Sequence, residues 1–142
     1  MTQNRPASCA ERLPEVRQLL ARLHQVLVNA EHEELLRERG QVGAAEFLQM
    51  LVQDERLAWL RPIGHLAARL DEFLKRAEQR GTPISEETAR DILIDVRRVV
   101  SRTTRLHAGW RYADWAQRDP EVVLAHSALT DALRPEPRAW AA

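Results

Sequence analysis

The sequence has little of what disulfide-linked, membrane-spanning or nucleotide-binding proteins need. Cys9 is the only cysteine, so no disulfide can form within the chain. No apolar run approaches the about 20 residues of a membrane-spanning helix, and residues 1–10 contain no apolar signal-peptide core. The five glycines are dispersed, which argues against a phosphate-binding loop. We therefore expect a cytoplasmic protein with no membrane partner.

An excess of either charge is also missing. The 21 Lys and Arg residues balance 21 Asp and Glu residues, so a net charge of zero draws the chain to neither nucleic acid nor anionic lipid. Six arginines between residues 97 and 118 are interleaved with aromatic residues, as in some nucleic-acid-binding proteins. The helix that begins this region also carries four acids, so nucleic acid is disfavoured as a partner. These acids are Glu86, Glu87, Asp91 and Asp95.

Apolar residues recur at the three- and four-residue spacing of helices along the chain, and no strand alternation is present. Ser8 and Glu11 form a capping box, and Asp119 followed by Pro120 marks the last helix start. The pattern predicts an all-α, single-domain helical bundle of four principal helices with broken or kinked connections, packed mostly antiparallel. The predicted helical ranges are 14–39, 44–52, 63–80, 86–100, 106–117 and 120–134.

The predicted domain spans residues 8–134, with a flexible N-terminus at 1–7 and a flexible tail at 135–142. Within the long first helix, residues 31–39 are rich in acids and arginines, which predicts a solvated face. Asp54 interrupts an apolar stripe, so we interpret it as the N-cap of a new turn. Pro62 disfavours helical geometry at the residue before it and predicts a bend there.

The segment Asp54, Ala58-Trp59-Leu60-Arg61-Pro62 resembles part of an uncharacterised bacterial all-helical family. The stretch 111–126 is similar as well. The family pattern has proline after the aspartate, where this chain has Glu55. The resemblance implies an all-helical fold and a bacterial, cytoplasmic origin, and it assigns no activity, cofactor or catalytic residue to any position.

Motifs for metal binding or covalent catalysis are missing. No histidine has a glutamate three residues before it, and no His-x-x-x-His pair exists. His24 and Glu31 are two helical turns apart, about 10 Å along the axis, which is too far to ligate one ion together. No Gly-x-Ser-x-Gly elbow is present. We therefore expect a protein that is not an enzyme, with no catalytic residue, metal or cofactor.

One short predicted helix combines aromatic residues with arginines, a composition typical of the anchors of protein interfaces. The preferred hypothesis is a non-enzymatic helical protein-interaction module that self-associates, as a homodimer, through these side chains. The other interpretation of this helix is that its second tryptophan closes the edge of the core. The residues concerned are Trp110, Arg111, Tyr112, Trp115 and Arg118.

The alternative hypothesis is a small-ligand or metal-binding bundle with a pocket between helices near Trp59, Arg61, His65 and His126. An arginine beside a tryptophan can hold a carboxylate bidentately and stack on the ring. Two simpler interpretations stay open. Arg61 could cap helix ends around the bend at Pro62, and His126 could be a hydrogen-bonded histidine at the edge of the core.

Overall fold

The computed structural model describes residues 8–105 and 109–134, with side chains for 8–101 and 111–134. The predicted flexible segments 1–7 and 135–142 lie outside the described residues, as does His107. The described residues form helices joined by short connections and contain no strand, which confirms the all-α prediction. The elements are α1 (Cys9–Arg39), α2 (Ala44–Gln53), a 3₁₀ segment (Glu55–Leu60), α3 (Arg61–Arg80), α4 (Glu86–Arg105), α5 (Gly109–Arg118) and α6 (Pro120–Ala132).

Four of these helices, α1, α3, α4 and α6, are longer than ten residues, and α2 and α5 have ten each. The predicted four principal helices therefore correspond to the four long ones, with α2 and α5 in the connections. None of the helices in the described part of the chain is long and apolar enough to cross a membrane.

Helix α1 is the central strut of the domain. The Ser8 hydroxyl accepts a hydrogen bond from the Glu11 amide at 3.1 Å, so the helix begins at Cys9. It continues through Pro14 and ends before Gly40, whose φ of 82° is accessible to glycine at little cost. Its apolar stripe packs against α3, α4 and α6. The buried apolar residues of α1 are Leu13, Val16, Leu20, Leu23, Val26, Leu27, Ala30 and Leu35.

Two side chains satisfy helix ends that lie far away in sequence. The Glu86 carboxylate, at the start of α4, accepts hydrogen bonds from the amides of Cys9 and Ala10. Hydrogen bonds from these amides lower the pKa of Glu86. At the same end of α1, the Arg12 guanidinium donates to the carbonyl of Ala132 at the end of α6. Both contacts close orphan backbone groups, and both fasten α1 to a neighbouring helix.

The segment around Asp54 is also built from caps. The Asp54 carboxylate accepts from the Arg56 amide at 2.8 Å, so the predicted restart is confirmed. Arg61 donates from Nε to the Leu51 carbonyl at 3.0 Å and from its terminal nitrogen to the Asp54 carbonyl at 2.9 Å. The capping interpretation of Arg61 is therefore confirmed. The predicted loss of helical geometry at Arg61 is wrong, because its φ and ψ are −61° and −43° and Pro62 lies in the first turn of α3, where no amide donor is needed.

Candidate functional site

Two of the three aromatic residues of α5, Tyr112 and Trp115, turn inward. Tyr112 is 0% exposed and Trp115 is 3% exposed, so neither offers an exposed anchor to a partner. Their three-residue spacing places both on one face of α5, and that face is buried in the core. The interpretation in which Trp115 closes the core is the one that the geometry supports. The backbone of Trp110 is part of α5, but its side chain lies outside the described residues.

A fully buried carboxylate of α1 receives the polar groups of α5. Glu31 accepts from Arg111 at two points, at 2.6 Å from Nε and 3.0 Å from a terminal nitrogen. The indole N–H of Trp115 donates to the same carboxylate at 2.7 Å. Hydrogen bonds from Arg111 to Glu31 raise the pKa of the guanidinium. Glu31 is thus a buried charge with a bidentate partner and a further donor, the condition under which such a charge is tolerated.

The ion pairs continue outward from Glu31 to the surface. Arg111 also pairs with Glu34, and a guanidinium nitrogen of Arg118 lies 3.6 Å from the same carboxylate. Arg118 covers the Trp115 ring, with 4.2 Å from its guanidinium carbon to the ring centroid. Arg56 of the 3₁₀ segment binds both oxygens of Glu38 at 2.6 and 3.0 Å, which lowers the pKa of that carboxyl. We call these six charged residues the arginine–glutamate cluster: Glu31, Glu34, Glu38, Arg56, Arg111 and Arg118.

The cluster corrects one expectation and bears on another. The predicted solvated face of 31–39 is wrong at Glu31, which is fully buried and is bound by Arg111 and Trp115 of α5. Arg111 and Arg118 were expected to form a partner-binding patch; the Arg111 guanidinium is bound to Glu31, whereas Arg118 is exposed and lies 3.6 Å from Glu34, so partner binding through this patch stays a prediction. The spacing of Glu31, Glu34 and Glu38 at i, i+3 and i+7 was the available sequence signal, because it aligns three carboxylates on one face of α1. The cluster braces α5 and the 3₁₀ segment against α1.

Tyr112 makes a second polar contact inside the bundle. Its hydroxyl lies 2.7 Å from Nδ1 of His126 in α6, and its ring meets the Trp59 ring edge-on with centroids 6.4 Å apart. Burial raises the pKa of Tyr112 and lowers that of His126, so both groups are neutral at pH 7. His126 is therefore a hydrogen-bonded histidine of the core edge, with a phenol as its partner.

The residues of the alternative pocket do not come together. Arg61 and His65 line an open groove beside α3, whereas Trp59 and His126 contact Tyr112 and are absent from the lining of that groove. Two guanidinium nitrogens of Arg61 are already bonded to backbone carbonyls. The geometry therefore offers no four-residue ligand pocket of the kind expected.

The described histidines are spread through the bundle. His24 packs against Gly64, and burial lowers its pKa. His32 stacks on Phe47 of α2 with ring centroids 4.3 Å apart. Within residues 8–105 and 109–134, no three His, Cys, Asp or Glu side chains come close enough to hold a metal ion.

The groove beside α3 continues along the whole length of α3, between α3 and α4. It has three adjoining stretches with volumes of about 730, 260 and 520 Å³. Apolar side chains from both helices contribute to it, and four arginines of α3 lie along it. We call it the α3–α4 groove. Its central lining is Leu66, Arg69, Leu70, Phe73, Thr88, Ile92 and Asp95.

A second exposed apolar surface lies on α2. Phe47 and Met50 are buried on the inner side of this helix, but Leu48 is 63% exposed and Val52 is 69% exposed on the outer side. Glu46 is the only charged residue among the ten of α2. We call the surface formed by Leu48 and Val52 the α2 face.

Comparisons with family models, with curated proteins and with solved structures find no match for this chain. That result is consistent with the resemblance to an uncharacterised family, and it transfers no activity to any residue.

Proposed function

We propose that this chain is a non-enzymatic, cytoplasmic helical protein-interaction module that self-associates as a homodimer. The α2 face is the observation that carries the proposal. Leu48 and Val52 are one helical turn apart and point to the same side, so together they expose one apolar surface. Large apolar side chains that are this exposed and adjacent mark interaction sites more often than isolated ones do.

A second copy of the chain is the partner that the α2 face favours. In a twofold-symmetric contact each patch meets its own copy, so a charge at the centre of the patch would face a like charge. The α2 face has none, since its neighbours on the exposed side are Ala45 and Gln49. A ten-residue helix is only about 15 Å long, so we expect a small interface and a weak, reversible dimer.

Sedimentation velocity over a concentration series tests the proposal. The wild-type chain is expected to shift from monomer to dimer as concentration rises, and the Leu48→Glu/Val52→Glu variant to remain monomeric. Leu124→Glu is the matched control, because Leu124 is 72% exposed on α6 and its replacement adds a charge far from α2 in sequence. A wild-type chain that is monomeric throughout, or a control that dissociates as fully as the α2 variant, would refute the role of the α2 face.

The other two hypotheses have less support. Self-association through α5 has less support than self-association through α2, because Tyr112 and Trp115 are buried and Arg111 is bound to Glu31. The expected ligand pocket has less support, because Trp59 and His126 do not line the groove that Arg61 and His65 share, and Arg61 is bound to helix-end carbonyls. In the described part of the chain no three His, Cys, Asp or Glu side chains could hold a metal ion. Interaction is preferred to catalysis because the sequence contains neither a Gly-x-Ser-x-Gly elbow nor a His-x-x-x-His pair.

A further inference from the structure

The α3–α4 groove is one continuous surface. Phe73 and Thr88 line both the 520 Å³ stretch and the central 260 Å³ stretch. Arg69 lines both the central stretch and the 730 Å³ stretch. The stretch at the end of α3 meets the start of α4, and the stretch at the start of α3 meets Val99 near the end of α4, so the two helices run antiparallel. Helix α3 has 20 residues, which makes the groove about 30 Å long.

The floor of the groove is apolar. Leu66 and Leu70 are buried beneath it, Ile92 and Val99 are half-buried on the α4 side, and Phe73 stands exposed at its centre. A groove of this length and polarity matches the apolar stripe of an amphipathic helix, whose anchors repeat at i, i+3 or i+4 and i+7. About five helical turns would span it.

The rim of the groove is cationic. Among the residues whose side chains the structure describes, four arginines line it and Asp95 is the one acid. Arg61 caps α2 and Arg76 pairs with Glu72. Arg69 and Arg80 are exposed and form no ion pair with any residue that the structure describes. Carboxylates on a partner would therefore find complementary charge along the α3 side.

From this combination we propose that the α3–α4 groove binds an acidic amphipathic helix of a partner protein. The apolar stripe of that helix packs on Phe73 and the floor, and glutamates or aspartates beside the stripe pair with Arg69 and Arg80. The α2 face of a second copy is not the occupant, because Leu48 and Val52 offer no carboxylates to this rim. The inference is independent of the proposed dimer, since it concerns a different surface.

Fluorescence anisotropy with a designed peptide tests the inference on the full chain. The probe is a labelled five-turn helical peptide with a leucine stripe flanked by glutamates. One control peptide has lysines in place of the glutamates, and a second has the same composition in scrambled order. We expect the acidic peptide to bind, the lysine peptide to bind at least about tenfold more weakly because like charges then meet, and the scrambled peptide not to bind.

Variants of the chain give the decisive comparison. Arg69→Glu/Arg80→Glu is expected to reverse the preference, so that the lysine peptide binds better than the acidic one. Phe73→Ala is expected to weaken both peptides, because it removes the central apolar contact. Arg22→Glu is the matched control, since Arg22 is exposed on α1 outside the groove lining, and it should leave binding unchanged. Circular dichroism melts verify that each variant is folded.

The contrary results are equally specific. Equal affinity for the acidic and lysine peptides, or a preference unaltered by the double reversal, would overturn the inference. A single-stranded oligonucleotide that displaces the acidic peptide and binds Phe73→Ala as well as wild type would also overturn it, in favour of nucleic acid. The Leu48→Glu/Val52→Glu variant should bind the acidic peptide normally, so failure of the dimer and failure of the groove are distinguishable.

Discussion

Helices α2 and α5 have the same length but differ in which of their large side chains are buried. α5 carries the tryptophans and arginines expected of an interface, yet its Tyr112 and Trp115 are buried. α2 has one charged residue among ten, yet it leaves Leu48 and Val52 exposed. The difference depends on what lies opposite each helix, because α1 offers α5 a buried carboxylate at Glu31. Residue type alone therefore does not decide which surface of a helical bundle remains open.

Replacing Glu31 with alanine is expected to cause the largest loss of unfolding free energy. The change leaves the Arg111 guanidinium and the Trp115 N–H without their buried acceptor. Removing one partner of a buried ion pair costs about 3–5 kcal/mol, and we expect urea unfolding to show a loss of that order. Glu38→Ala removes an exposed carboxylate of the same cluster and should cost far less. Equal losses from the two variants would contradict the central role of the buried carboxylate.

Two adjacent residues of α2, one buried and one exposed, are expected to differ by an intermediate amount in their effect on the unfolding free energy. Phe47→Ala removes a buried ring that stacks on His32 and is expected to lower the unfolding free energy by on the order of 3 kcal/mol. Leu48→Ala changes an exposed side chain and should stay within about 0.5 kcal/mol. Both are measured by urea unfolding at low concentration, where the proposed dimer is dissociated. A comparable loss for Leu48→Ala would mean that the outer side of α2 is packed.

Replacing His126, which contacts Tyr112, is expected to have the smallest effect, visible in the pH dependence of the unfolding free energy. Burial lowers the pKa of His126, so the unfolded chain takes up a proton first as pH falls through the ordinary value of 6.5. Stability contributed by neutral His126 is therefore present above pH 6.5 and is lost as pH falls towards the lower pKa of the folded state. His126→Asn should flatten the decline in unfolding free energy between pH 7 and pH 5. An unchanged decline would exclude His126 as its source, leaving His24, whose pKa is also lowered by burial.

The fold was largely predictable because the residues that begin and end its helices lie within a few positions of those ends. Ser8, Asp54 and Asp119 each accept backbone hydrogen bonds at the N-terminus of a helical segment. Gly40 and Gly81 end α1 and α3 with positive φ, as their positions after the apolar stripes predicted. Such signals depend on residues a few positions apart, so a single sequence contains them in full.

The environment of α5 could not be predicted in the same way. Arg111 meets Glu31 across 80 positions, and Trp115 meets it across 84. Helical periodicity identifies a polar stretch on α1, but it does not say whether water or another helix satisfies those carboxylates. The α3–α4 groove escaped prediction for a related reason, since its two walls are faces of different helices and its depth depends on how closely they pack.

The position of α1 in the chain has a consequence for synthesis. α1 is made before the other described helices, but its apolar stripe is covered partly by α6, the last helix of the described chain. About ninety residues separate the end of α1 from the end of α6, and translation at 5–20 residues per second makes that delay on the order of ten seconds. During that interval the part of the α1 stripe that α6 covers stays exposed. A chain halted before Pro120 would retain that exposure permanently.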